Sequence, residues 1–138
     1  MVVVETQDME KQDNIISDAM NVAINQQIGR EFAASLQYIS MATYFDGEGL
    51  TQLSGFFYRQ AGEERDHAMR FFKYLVDAGG KVAIPAIAGP QNEFADIKAA
   101  ISLALDWERD VTREINSMMK LAVEESDFIS QNQLSWFI

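Results

Sequence analysis

The stretch GEERDHAMRFF, residues 62–72, decides how the chain is read. It holds three acids, two arginines and the chain's only histidine, and the sequence on either side has the spacing of an apolar helix. Helical periodicity places Glu64, His67, Phe71, Tyr74 and Ala78 on one row, which continues towards the N-terminus through Gln60, Phe57 and Leu53. Glu63, Arg65, Asp66 and Arg70 fall off that row and read as a solvated face. Glu64 and His67 lie on the row and interrupt what is otherwise a stripe of largely apolar and aromatic residues.

Working outward, the spacing predicts a helix from about Thr51 to Ala78, ended by Gly79 and Gly80. A first helix is predicted from about Asp18 to Phe45, with Ser17 as its N-cap and DGEG (46–49) as its end. A third runs from about Phe94 to Glu125. ESD (125–127) breaks it, and a fourth begins near Phe128. Residues 80–93 hold both prolines, Pro85 and Pro90, and form no regular helix. The 46–49 turn is short, so the first two helices are antiparallel neighbours. A second helix of about 28 residues spans roughly 42 Å, and the 80–93 connection, extended, reaches roughly 46 Å. It can therefore cross the whole bundle, making helices two and three parallel and helix four antiparallel to them. The expected fold is all-α, a four-helix bundle with one long crossover between helices two and three.

The 138 residues, 48% hydrophobic, are enough for one domain with a real core. Residues 1–14 read as a polar N-terminal arm and residues 15–138 as the helical domain. A net charge of −10 disfavours nucleic acid and anionic membrane and attracts cations. No apolar run has the length of a membrane span. The lack of cysteine excludes thiolate zinc sites, iron–sulfur clusters and cysteine nucleophiles. It fits a reducing compartment, and a cytoplasmic location is expected.

The other helices carry similar interruptions. Helix one gives the row Ile24, Ile28, Glu31, Ser35, Tyr38, Ala42, Phe45. Helix three gives Ile97, Ile101, Ala104, Glu108, Val111, Ile115, Met118, Ala122. Glu31, Glu64 and Glu108 each lie near the middle of a helix, so aligned helices bring them to one level. Three carboxylates in a core are costly unless paired, and one histidine does not neutralise them. No lysine or arginine falls on the three rows. Divalent cations would serve, and the i, i+3 step from Glu64 to His67 lets both reach one ion. A satisfied structural network is the other reading of the four residues. Tyr38 is either a core tyrosine or a hydrogen-bond partner of a ligating carboxylate.

INQQIGREFAASLQYISMATYF (24–45), GEERDHAMRFFKYLVDAGG (62–80) and ALDWERDVTREINSMMKLA (104–122) resemble helices one to three of ferritins, particularly the non-haem bacterial kind. The resemblance covers about residues 18–128 and rests on R-E-x6-Y, E-E-R-D-H and W-E-R at the family's spacing. It implies that Glu31 and His67 bind one iron, that Glu64 bridges two irons and that Glu108 binds the second, with Tyr38 close by. Glu63 matches a residue of an accessory third iron site. Arg65 stands where bacterioferritins have a haem-ligating methionine, and there is no second E-x-x-H, so no haem and no symmetric di-iron site are expected. Relative to the family, helix four stops at Ile138 after about one-third of its length, so a truncated fourth helix is expected and the sequence reads as incomplete there.

The resemblance implies iron storage and detoxification: a ferroxidase that oxidises Fe(II) with O2 or H2O2 and passes Fe(III) to a mineral, in a hollow homo-oligomeric cage of 24 subunits. Two other readings stand beside it. One is a different di-metal carboxylate oxidase or peroxidase on the same bundle. The other is a structural subunit whose site is idle.

Overall fold

The computed structural model describes residues 15–138, so the expected polar arm of residues 1–14 lies outside the described residues. Four helices follow in order: α1 Asp18–Gly47, α2 Thr51–Asp77, α3 Ile97–Glu124 and α4 Phe128–Ser135. Their ends are set by local chemistry. The Ser17 side chain accepts from the Met20 amide at the start of α1, and Gly49 and Gly79 take the left-handed φ of 78° and 75° that close the first two helices. α3 starts at Ile97, three residues later than the spacing suggests, because the Asp96 side chain caps it by accepting from the Ala99 amide. Asp127 does the same for α4 through the Ser130 amide.

Pairs across the helices fix the topology. Tyr38 meets Glu108, and Arg30 Nε lies 3.1 Å from Glu114, so α1 and α3 run in opposite directions. The Tyr74 and Ser130 hydroxyls are 2.7 Å apart, and the His67 ring lies 5.7 Å from the Trp136 ring, so α4 runs against α2. The non-helical connection from α2 to α3 travels along α1. Asn25 donates to Lys81 O at 2.8 Å near one end. Gln37 donates to Gln91 O at 2.8 Å and accepts from the Gln91 amide at 2.9 Å near the other. Midway, Gly29 lets Pro85 close on α1: a Cβ there would lie 2.5 Å from Pro85 Cγ. Helices α2 and α3 are therefore parallel, as the connection's reach allows.

The core divides in two. At one end Met20, Ile24, Ile28, Phe71, Leu75, Ile115, Met118 and Leu134 pack together. At the other Ala34, Tyr38, Met41, Phe45, Phe57, Ala61, Ala100 and Ala104 do so. Each large apolar side chain fully buried there contributes about 1.5–3 kcal/mol. Between the clusters lies a polar layer in which Gln27, Glu31, Ser35 and Glu64 are buried. Ser35 Oγ donates to Ala61 O at 2.7 Å, which ties α1 to α2 within one turn of both glutamates.

The row read on α1 is buried along its length, and that on α2 is buried or half-buried. On α3 the row divides. Ala104, Ile115, Met118 and Ala122 are buried, whereas Ile97, Ile101 and Glu108 are exposed. The reason is that α4 packs beside the C-terminal half of α3, where Leu134 joins the first cluster. Among the described residues no helix is long and apolar enough to cross a membrane.

Candidate metal centre

Glu31 is fully buried and Glu64 is 5% exposed. His67 Nδ1 lies 3.4 Å from Glu64 Oε2 and 3.8 Å from Glu31 Oε2. One ligand atom from each of the three lies within 4.8 Å of the others. Donors about 2.1 Å from a common ion sit at most about 4.2 Å apart. Shifts of a few tenths of an ångström, within the reach of small side-chain rotations, would close the group around a cation.

The carboxylates are placed but under-used. Glu31 Oε1 accepts from Gln27 Nε2 at 3.1 Å. Glu31 Oε2 and Glu64 Oε2 are buried and have no hydrogen-bond partner. Both oxygens face His67 Nδ1 at ion-pair rather than hydrogen-bond distance, so one imidazole stands between two buried carboxylates and leaves room for a cation to complete their bonding. The electrostatics agree. Burial pushes the Glu64 carboxyl up to about 7, with His67 opposing that shift and Glu31 adding to it. The carboxylate of Glu31, then that of Glu64, holds the His67 proton and raises the imidazole to about 10, against the effect of burial. In the metal-free protein His67 is therefore the one cation facing two acids.

Glu108 stands apart from the compact group. It is exposed, and Tyr38, 1% exposed, donates a hydrogen bond to its Oε1 from across the bundle. Burial, followed by the bond to Glu108, raises the Tyr38 hydroxyl far above its usual range. Glu108 nevertheless lines the same cleft of about 360 Å³ as Glu64 and His67, with Val111, Ile115, Trp136 and Phe137 among its walls. Three of the sequence-derived residues thus face one space, Glu64, His67 and Glu108, and Tyr38 bonds to one of them from the core. Glu31 closes the group from α1. Glu63 is exposed, one position away from Glu64.

Sequence reasoning missed Gln27 and misplaced Arg70. Gln27 is one turn before Glu31 on α1, so the i, i+4 spacing was the available signal. Arg70, read as solvated, is half-buried, and its guanidinium stacks 3.9 Å from the centroid of the Trp136 ring. Trp136 and Phe137 both present to His67, with ring centroids 5.7 and 5.5 Å away. No pattern in α2 alone announces that packing.

Oxygen and imidazole donors of this kind suit iron, manganese or zinc. A four-helix bundle with a full-length crossover and a buried Glu–Glu–His group able to hold a metal ion is the arrangement of the ferritin-like class of four-helix protein. A family model described as a ferritin-like domain matches residues 21–138, and the chain belongs to the ferritin family. Ferritin BfrB of Mycolicibacterium smegmatis is 44% identical over 115 residues, covering 83% of this chain and 64% of that one. A bacterial non-heme ferritin of Staphylococcus epidermidis is 32% identical over 124 residues, covering 90% of this chain and 75% of that one. Among solved structures, an open pore ferritin from the hyperthermophilic archaeon Archaeoglobus fulgidus superposes with a TM-score of 0.86 at 35% identity, covering 90% of this chain and 76% of that one. The chain spans about two thirds or less of the length of its mycobacterial relatives, 64% of BfrB.

Proposed function

We propose that this chain is an iron-storage ferritin subunit that oxidises Fe(II) at the Glu31, Glu64, His67 and Glu108 cluster. The observation that carries the reading is the pair of buried, unpartnered carboxylate oxygens on Glu31 and Glu64 beside His67. Iron is the substrate. Glu31 and His67 bind one ion, Glu64 bridges to a second, and Glu108 binds that second ion with Tyr38 steadying its carboxylate. Glu63, exposed next to the bridge, serves an accessory third position. Carboxylates favour Fe(III) over Fe(II) because they are hard, anionic donors. Two Fe(II) lose two electrons. O2 takes them with two protons and leaves as H2O2, or H2O2 takes them with two protons and leaves as two waters. The Fe(III) formed then passes to a mineral.

Residues 15–138 act as one domain of a cytoplasmic protein, and copies of the chain assemble into a hollow cage, which fits the family membership and the many exposed apolar side chains on the outer helix faces. Stopped-flow absorbance after mixing Fe(II) with oxygenated protein tests the chemistry. A fast phase consuming two Fe(II) per chain and ending in mineral supports the proposal. Oxidation of an added organic substrate in place of mineral would favour an oxygenase on the same bundle, and no fast phase would favour an idle site. Light scattering tests assembly, and a monodisperse monomer or dimer at micromolar concentration counts against the cage.

A further inference from the structure

Glu31 has two oxygens in two different environments. Oε1 is tied at 3.1 Å to Gln27 Nε2, one turn back along α1. Oε2 faces His67 and Glu64 and has no hydrogen-bond partner. Gln27 is itself fully buried, so water does not compete for its amide. The direction of the bond is fixed by chemistry: an ionised carboxylate only accepts, so the amide must offer its NH2. The consequence is that Gln27 Oε1 is left buried without a protein donor. A near-isosteric methionine would fill the same space without an orphaned acceptor. The polar choice is therefore poor for packing, and it is explained by what it does to Glu31.

We infer that Gln27 is a positioning residue that holds back Oε1 of Glu31 so that the carboxylate meets the metal through Oε2 alone. This rests on the proposed metal role of Glu31. Without the amide, the carboxylate is free to rotate about its last bond and offer both oxygens to one ion, which raises that ion's coordination number and takes Glu31 out of register with His67. Gln27 touches no metal and acts only through Glu31.

Co2+ is the probe, because its visible absorption reports coordination number and geometry. The full chain and its Gln27→Met variant are titrated with Co2+ without oxygen, and the same change is made in a Glu31→Ala background. The expected result is a weaker, shifted visible band for Gln27→Met and roughly tenfold loss of affinity for one ion, as for other residues that orient a metal ligand. The effect should vanish when Glu31 is already alanine. Thermal melting of the metal-free variant should fall somewhat, because Oε1 of Glu31 loses its donor, while the variant remains folded. An unchanged Co2+ spectrum and affinity in Gln27→Met, or an equal loss in the Glu31→Ala background, overturns the inference while leaving the metal reading intact. If Glu31→Ala alone leaves Co2+ binding unaltered, the metal reading fails and this inference with it. Should Gln27→Met fail to fold, Gln27→Asn repeats the test, since its amide is too short to reach Oε1 and its polarity is kept.

Discussion

Tyr38 donates a hydrogen bond to Glu108, and this contact joins a fully buried residue of α1 to an exposed one of α3. It is the hydrogen bond that anchors the exposed carboxylate of α3 to the interior of the bundle. Tyr38→Phe keeps the ring among Phe57 and its neighbours, 5.7 Å away, and removes only the donor. Hydrogen bonds to charged groups contribute about 1.5–3 kcal/mol, and the exposure of Glu108 puts the expected loss at the low end. Melting should fall by a few degrees, whereas the fast Fe(II) oxidation phase should slow several-fold. A large melting loss with unchanged oxidation would make Tyr38 a packing residue only.

Glu64→Ala and His67→Ala separate a bridging ligand from a terminal one. Glu64→Ala removes a donor from both proposed ions, so the fast phase should suffer more than in His67→Ala. Glu63→Ala, on the exposed side, should spare that phase. Metal-free Glu64→Ala should melt at or above the parent temperature, because one of two crowded buried acids is gone. Metal at about 100 times its dissociation constant stabilises by about 2.7 kcal/mol, and the variant should lose most of that gain. Paired melts with and without zinc measure it. Destabilisation of the metal-free variant by several kcal/mol with normal oxidation would assign Glu64 to the core alone.

The two perturbed groups give a pH profile of definite sign. Glu64 rises from 4.5 to about 7 chiefly through burial. His67 rises from 6.5 to about 10 through Glu31 and then Glu64. Both bind their proton more tightly in the folded chain than in the unfolded one. Each contribution to stability is full below the unfolded value and is lost as pH rises through the folded value. The metal-free protein should therefore weaken between about pH 4.5 and 7 through Glu64, and between about 6.5 and 10 through His67. Urea midpoints in chelator across that range measure the loss, and His67→Gln should flatten its alkaline part. Zinc binding near pH 8 should release about one proton, that of His67.

Gly29→Ala tests the crossover. Its Cβ would meet Pro85 Cγ at 2.5 Å, so the connection or α1 must move. Overpacking of this kind costs about 1–3 kcal/mol, more than the helix propensity alanine gains over glycine, about 1 kcal/mol. Urea denaturation should show net destabilisation, and adding Pro85→Ala should recover part of it. Stabilisation by Gly29→Ala alone would mean that the crossover does not sit on α1 in solution.

The helices, their order and the crossover were legible because periodicity, capping residues and connection length are local properties. Ser17, Gly79 and the paired prolines each mark a boundary without knowledge of the rest. Glu31, Glu64 and His67 were legible as site candidates because a polar residue on an apolar row has few bland explanations. The exposure of Glu108 was not legible, since it depends on how far α4 extends beside α3, and periodicity within α3 carries no information about a neighbour. Gln27 escaped for a related reason. A glutamine next to the apolar row reads as a rim residue until the bundle closes over it. Arg70 needed the Trp136 ring to explain its burial.

The connection between α2 and α3 has the irregular backbone of a loop but the bonding of a pleated edge. The amides of Lys81, Ala83 and Gln91 donate to side-chain oxygens of Asn21, Asn25 and Gln37, each at 2.8–2.9 Å. Three asparagine and glutamine side chains thus stand in for the missing partner strand. The local free energy of opening this segment is then tied to that of α1, to which it is fastened at residues 81–85 and again at 91. Hydrogen exchange at those three amides would follow the slow kinetics of a helix, although the residues around them are exposed.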